Sequence, residues 1–232
     1  KRHATRFKGR SFDWMRFQQD GQDYPTPDPR LRPAAEITIT PVGGDTANQV
    51  TKLGMRPANL AWHPNGSLVA FTADETWRDE QAYEHPDIYT VTTAGQVNRL
   101  TTDGYVWSSL AYSPDGQFLL AERTFGTGMI IQQKLTHGGS DDLMLWPIDS
   151  AAAGSEPGAS LAQGRPTSRP PINLTATWDL EPNAPRWSPD ARYVYFTAEK
   201  GGTTHLFRVA ARAGAPGEQV TQGERRLNGM TF

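Results

Sequence analysis

The residue types that do chemistry are present in this sequence, but not at the spacings chemistry needs. Five histidines (His3, His63, His85, His137 and His205) are scattered along the chain. A histidine becomes a general base when a nucleophile and an orienting carboxylate are placed around it, and no local pattern supplies either. No Gly-x-Ser-x-Gly occurs, the elbow that exposes an activated serine. With no cysteine, thiolate nucleophiles, thiolate zinc sites and disulfides are all excluded. Carboxylates are densest over residues 74–86 (Asp74, Glu75, Asp79, Glu80, Glu84), without the ordered Asp-x-Asp-x-Asp-Gly of a calcium loop. That run reads as a solvated loop. The expectation is a chain with no catalytic residue, metal site or cofactor of its own.

Bulk properties narrow the partners. A formal net charge of −2 over 232 residues, with a pI of about 6.2, points to neither nucleic acid nor an anionic membrane surface. No apolar run approaches the ~18–20 residues that a spanning helix needs. Residues 1–9 are basic, but polar residues follow them, unlike a signal peptide. Compartment stays open between cytoplasm and periplasm or secretion. The length is sufficient to bury a sizeable core.

What must position any functional side chain is a repeat. Three segments share one pattern: Ala58-Asn-Leu-Ala-Trp62-His-Pro64-Asn-Gly66, Ser109-Leu-Ala-Tyr112-Ser-Pro114-Asp-Gly116 and Ala184-Pro-Arg-Trp187-Ser-Pro189-Asp190-Ala191. An apolar, β-rich run follows each, then an alternating strand, then an aliphatic-Thr pair (Leu100-Thr101, Leu174-Thr175, Val220-Thr221). An earlier copy, Ile37-Thr-Ile39 with Val50-Thr51, lacks its first half. From each pair's threonine to the next aromatic anchor the spacing is 11, 11, 12 and 11 residues, the last step landing on Phe232. Self-similarity at this period signals a stacked-repeat architecture.

Each unit reads as four antiparallel strands, with apolar residues alternating along them by the period-two geometry of a strand. Pro-Asp-Gly closes a tight hairpin between the first two strands, the glycine taking the left-handed position. Ala191 breaks this rule in the third copy, where a left-handed alanine costs roughly 1 kcal/mol. The expected fold class is therefore all-β: a partial β-propeller of four-stranded antiparallel blades, about three blades plus two half blades. Residues 1–51 form an incomplete blade with a long N-terminal insertion; 58–101, 109–175 and 184–221 are blades; 228–232 open the next. The chain thus reads as a fragment, and exposed blade edges would favour self-association.

In such a fold the connections from strand two to three, and from strand four to the next blade, share one face. Most elaboration falls there: residues 74–86, residues 124–141, and the first 35 residues with Arg2, Arg6, Lys8, Arg10 and Arg16. Residues 150–171, rich in Ala, Gly, Ser and Pro, read as a flexible excursion on the opposite face. The four-to-one connections carry Arg56, Tyr105, Trp107, Trp178, Asp179, Arg225 and Arg226, which would cluster near the mouth of the central channel. These seven are the candidate substrate contacts.

Trp-x-Pro-(Asn/Asp)-Gly followed by Phe-Thr-Ala and Leu-Thr resembles the TolB-like class of WD40-like propeller repeats. Longer stretches are similar to the N-terminal propeller of bacterial prolyl oligopeptidase family serine peptidases, of the dipeptidyl and acylaminoacyl peptidase type. They include Arg56-Pro-Ala-Asn-Leu-Ala-Trp62, Ala70-Phe-Thr-Ala-Asp74, Lys134-Leu-Thr-His-Gly-Gly139 and Gly202-Thr-Thr-His-Leu-Phe-Arg208. The resemblance implies a non-catalytic propeller gating short peptides toward a C-terminal α/β-hydrolase domain beyond Phe232. The alternative is a stand-alone TolB-like propeller serving as a protein-interaction platform. Asp13-Trp-Met-Arg-Phe-Gln18-Gln19-Asp20 is loosely similar to the dipeptidyl peptidase segment whose paired glutamates hold a substrate's amino terminus. Gln18 and Gln19 carry no charge to do so.

Overall fold

The computed structural model describes residues 33–79, 81–136, 138–139, 141–148, 169–224, 226–227 and 229–232. The N-terminal insertion (residues 1–32) and most of the 150–171 excursion lie outside these residues, as does Arg225. Three four-stranded antiparallel meanders make up the bulk of the chain. The first holds β3 (Ala58–Trp62), β4 (Leu68–Ala73), β5 (Asp87–Thr92) and β6 (Val97–Arg99). The second holds β7 (Val106–Tyr112), β8 (Phe118–Thr124), β9 (Asp142–Pro147) and β10 (Ile172–Asn173). The third holds β11 (Asn183–Trp187), β12 (Tyr193–Lys200), β13 (Thr203–Ala210) and β14 (Gly217–Gln219). Ahead of them β1 (Thr38–Ile39) pairs with β2 (Asn48–Gln49), the outer half of a further unit. This is a partial β-propeller, and its sheets do not close into a ring among the described residues.

The middle strands of the first blade, β4 and β5, are buried along their whole length on both faces. Alternation expected from a half-exposed strand gives way here because this blade is covered by a neighbour on either side, whereas β13 of the third blade, covered on one side, alternates. Three apolar clusters fill the gaps. One joins the β1–β2 unit to the first blade through Ile37, Val50, Phe71 and Tyr89. The next joins first and second blades through Leu68, Ile88, Trp107 and Leu119. The last joins second and third through Leu120, Leu143, Val194 and Phe207.

The aromatic anchors seat each blade on the one before. Tyr112 meets His63 edge-on with ring centres 4.8 Å apart. Trp187 stacks near Phe118 and donates its indole N–H to the Ala111 carbonyl at 3.1 Å. Trp62 holds the same position but is 50 % exposed, the first two strands of the preceding unit not being among the described residues. Phe232, the next anchor in the series, packs edge-on against Tyr195 at 5.0 Å.

Two local devices recur in every blade. The aliphatic-Thr pair is a clamp. Thr51, Thr101, Thr175 and Thr221 each accept, through the side-chain hydroxyl, the backbone N–H that opens the third strand (Ile37, Ile88, Leu143 and Leu206) at 2.8–3.0 Å. In three of them the hydroxyl also donates to the carboxylate just ahead of that N–H, from Glu36, Asp87 or Asp142. The second device is a bulge in each first strand. Asn59, Ser109 and Ala184 take φ of 50°, 52° and 51°, and the register with the second strand slips at each. A bulge bends its strand and re-aims the side chain at that point.

The hairpin reading holds in detail, Ala191 included: Gly66, Gly116 and Ala191 have φ of 72°, 71° and 58°. One of the glycines has a second reason to be there. A Cβ on Gly116 would lie 2.9 Å from the His63 ring, whereas one on Gly66 would meet nothing within 4 Å. His63 is buried and structural: its Nδ1 accepts from the Asn65 N–H at 3.3 Å and its Nε2 donates to the Gly116 carbonyl at 3.2 Å. The sequence offered no helix over 124–141, but a short one, α1 (Thr127–Gln133), forms there.

Thr101→Val keeps shape but strands the Ile88 N–H and one oxygen of the Asp87 carboxylate in the interior, and should lower unfolding stability by about 2 kcal/mol in chemical denaturation. Gly66→Ala should cost about 1 kcal/mol from left-handed strain alone. Gly116→Ala should cost about 1–3 kcal/mol more through the added clash, and His63→Ser in the same chain should return most of that excess. Equal costs at the two glycines would contradict the structural role given to His63.

Candidate functional site

The loop face of the first two blades carries the elaboration, and the third blade carries almost none of it. Its strand-two-to-three connection is the Gly201-Gly202 hairpin between β12 and β13. In the first blade the 74–86 loop is held by a single buried carboxylate. Asp74 Oδ1 accepts both the backbone N–H and the hydroxyl of Thr76 at 2.7 Å, and its Oδ2 accepts the His85 N–H at 3.1 Å. Both ends of the loop are therefore fastened to one point. Part of the acidic run is thus structural: Asp74 is consumed inside the loop, and Glu75 pairs with Arg99 at 2.8 Å.

A cleft of about 360 Å³ lies on one side of this loop, lined by Arg56, Asn59, Asp74, Trp77, Asp79 and Glu84 among others. Trp77 forms its wall, fixed by an indole N–H donated to the Gly54 carbonyl at 3.1 Å. The Arg56 guanidinium sits 5.9 Å from that ring and Arg78 sits 4.5 Å from it, at cation–π range. A second cleft of about 370 Å³ lies on the other side, between the loop, the 102–104 turn and α1. The first helical turn closes over that turn: a Cβ on Gly126 would fall 2.5 Å from the Gly104 carbonyl.

The seven predicted contacts separate. Arg56 lines the first cleft. Tyr105 is half-buried, with the Arg123 guanidinium 4.5 Å from its ring and Phe125 edge-on at 5.2 Å. Trp107 is only 1 % exposed and belongs to the core between the first and second blades, its indole N–H donated to Asp103 at 3.1 Å. A side chain so placed offers no surface to a ligand. Trp178 packs edge-on against Phe196 and Phe207 and lies over Gly217, where a Cβ would fall within 1.6 Å of its ring. Asp179 and Arg226 are exposed and line neither cleft. Arg225 lies outside the described residues. Trp107 lies within β7 and not in the four-to-one connection expected for it, and the strand carries its ring into the gap between blades; Trp178 does sit in such a connection and packs inward as well.

Sequence reasoning missed a group of carboxyls on the second blade. Glu122 of β8 is 8 % exposed and accepts the Ser108 hydroxyl at 3.3 Å. Its register partner is Ser108, so it occupies the position held by Thr72 and Thr197 in the other blades. Those threonines donate to the bulge carbonyls of Ala58 and Asn183 at 3.3 Å. Aligning the three copies position by position would have exposed this departure. Burial pushes the Glu122 carboxyl up, Asp141 adds to the shift, and the Ser109 and Ser108 hydroxyls oppose it. Burial likewise pushes Glu181 up, with the charge of Asp141 and a hydrogen bond shared with its carboxyl adding to the effect. Asp141 accepts in turn from the Thr124 hydroxyl. Among the described residues no set of side chains is arranged to hold a metal ion.

No protein-family model matches the chain, and no curated protein does. Solved structures do. A puromycin-hydrolyzing peptidase from Mycobacterium tuberculosis superposes with a TM-score of 0.54 at 13 % identity, over 81 % of this chain and 26 % of that one. A prolyl endopeptidase gives 0.50 at 10 % identity, over 78 % of this chain and 25 % of that one. TolB from Acinetobacter baumannii gives 0.47 at 19 % identity, over 80 % and 37 %. The chain therefore spans between about a quarter and two fifths of the length of these structures. At such identities the likeness is one of fold: this is propeller architecture.

Carboxyls raised by burial keep protons in the folded chain that the unfolded chain would release. Stability from the buried Glu122 is accordingly lost as pH rises above the ordinary carboxyl value of 4.5 through its folded value. Glu122→Thr, restoring the residue of the other two blades, should raise Tm by about 2–4 °C at pH 8 and by clearly less at pH 5. A shift of equal size at both pH values would refute the assignment.

Proposed function

We propose that this chain is the propeller segment of a prolyl oligopeptidase-type serine peptidase, where it gates the approach of short peptides to an α/β-hydrolase domain in the same polypeptide. The observation that carries this reading is the one-sidedness of the loops. Both clefts, the 74–86 loop and α1 stand on the face bearing the two-to-three and four-to-one connections. On the opposite face the first blade has only tight turns, while the second sends out the 150–171 connection, most of which lies outside the described residues. Clefts gathered on one face of stacked sheets suit a gate, since function concentrates in loops fixed to a stiff scaffold. The fold likeness to two peptidases supports the same reading.

In this role the propeller supplies exclusion and positioning, not bond cleavage. Folded proteins cannot pass a mouth lined by fixed loops, whereas an extended peptide can. The chain holds no Gly-x-Ser-x-Gly, so the acylating serine would belong to the hydrolase domain.

Fluorophosphonate labelling of the full-length gene product, followed by peptide mapping, tests this directly. The labelled serine is expected C-terminal to Phe232 within a Gly-x-Ser-x-Gly. The isolated 232-residue chain should neither be labelled nor turn over aminoacyl or prolyl anilides. A gene that encodes only further blades, or a labelled serine inside this chain, would overturn the reading.

A further inference from the structure

The two clefts are not independent. They share one wall, made by Ala82 and Glu84 at the crest of the 74–86 loop. Asp74 fastens both ends of that loop, so the crest is held in place before anything binds. Glu84 is exposed and forms no ion pair among the described residues, unlike Glu75 in the same loop. Further carboxylates stand across from it: Asp79 in the first cleft and Asp103 in the second. The cation of the first cleft, Arg56, rests on the Trp77 ring.

The second cleft also has an apolar floor that protein atoms leave uncovered. Tyr83 is 49 % exposed and lies over Gly128, and the Met129 side chain packs over Gly104. Apolar side chains this open, beside fixed carboxylates, match a ligand that carries a positive charge next to a hydrocarbon group.

We propose that the twin clefts form one subsite for a short extended peptide, with a lysine or arginine side chain over Glu84 and an apolar side chain against Tyr83 and Met129. Adjacent residues of an extended peptide point to opposite sides, so the basic and apolar positions would be separated by one residue. The assignment rests on the peptide-gating reading for its choice of a peptide. It adds what that reading lacks, a preference for basic over acidic sequences.

Fluorescence anisotropy with the 232-residue chain and two labelled tetrapeptides, Ala-Lys-Ala-Leu and Ala-Glu-Ala-Leu with blocked ends, separates the possibilities. The lysine peptide should bind about fivefold or more tightly than the glutamate peptide at low salt, with the advantage shrinking at high salt. Glu84→Gln should remove most of that preference at unchanged Tm, and Met129→Ser should weaken both peptides alike. Equal binding of the two peptides, no binding of either, or a preference that survives Glu84→Gln would overturn the proposal. Because this readout needs no hydrolase domain, its failure leaves the gating reading to stand or fall on the labelling experiment alone.

Discussion

The hydroxyl of one threonine per blade fixes the point on the loop face where the third strand starts and the fourth ends. A fourth strand of two or three residues makes too few ladder bonds to fix its own position. By capturing the first N–H of the third strand, Thr51, Thr101, Thr175 and Thr221 tie the outermost edge of each sheet to its interior. Three of them extend the tie to a carboxylate, and in the first blade that carboxylate, Asp87, is buried and paired with Arg99 at 2.5 Å. Arg99 in turn reaches Glu75 at the root of the 74–86 loop. The chain of contacts runs from a strand terminus to the functional face without a gap. A buried charge that lost this set of partners would be an expensive thing to leave in place.

Burial on both faces is the second constraint. A sheet such as β4–β5, with no polar side to show the solvent, is stable only between two others. It explains why the aromatic anchors point backward along the chain, and why the two tryptophans expected at a channel mouth, Trp107 and Trp178, are drawn into packing instead. One ring belongs to strand β7 and the other to an inter-blade connection, and both fill gaps between blades. Tyr83 and Ile131, in the 74–86 loop and α1, are left at the surface by segments with their own hydrogen bonds.

Much of the fold was legible because the repeat announces itself in residues with a single mechanical purpose: the aliphatic-Thr pair, the anchor aromatic, the turn proline and glycine. The left-handed Ala191 was readable from its neighbours Pro189 and Asp190 alone. The first-strand bulges were not, since Asn59, Ser109 and Ala184 share no side-chain chemistry that would mark a bulge. Nor was the carboxyl group at Glu122, Asp141 and Glu181 apparent. Its members come from a strand and two separate connections, and only the sheet register brings them together. The two clefts were half visible: the loop that divides them stood out by composition, but its opposing wall, α1, is too short to leave a periodic signal.

The contact between His63 and the turn of the next blade reaches into the history of the sequence. Repeats of this kind diverge one substitution at a time, and the copies are usually treated as free to drift separately. Here the imidazole of one copy bars any side chain from the turn of the next. Ser113 stands where His63 stands, and the blade after it carries Ala191 where Gly116 would be. The serine folds back onto its own turn, its hydroxyl donating to Asp115 at 2.6 Å. Ala191 thus follows a copy that carries no imidazole at this position. In this pair of blades the residue before one turn proline and the residue closing the next turn are coupled by direct contact.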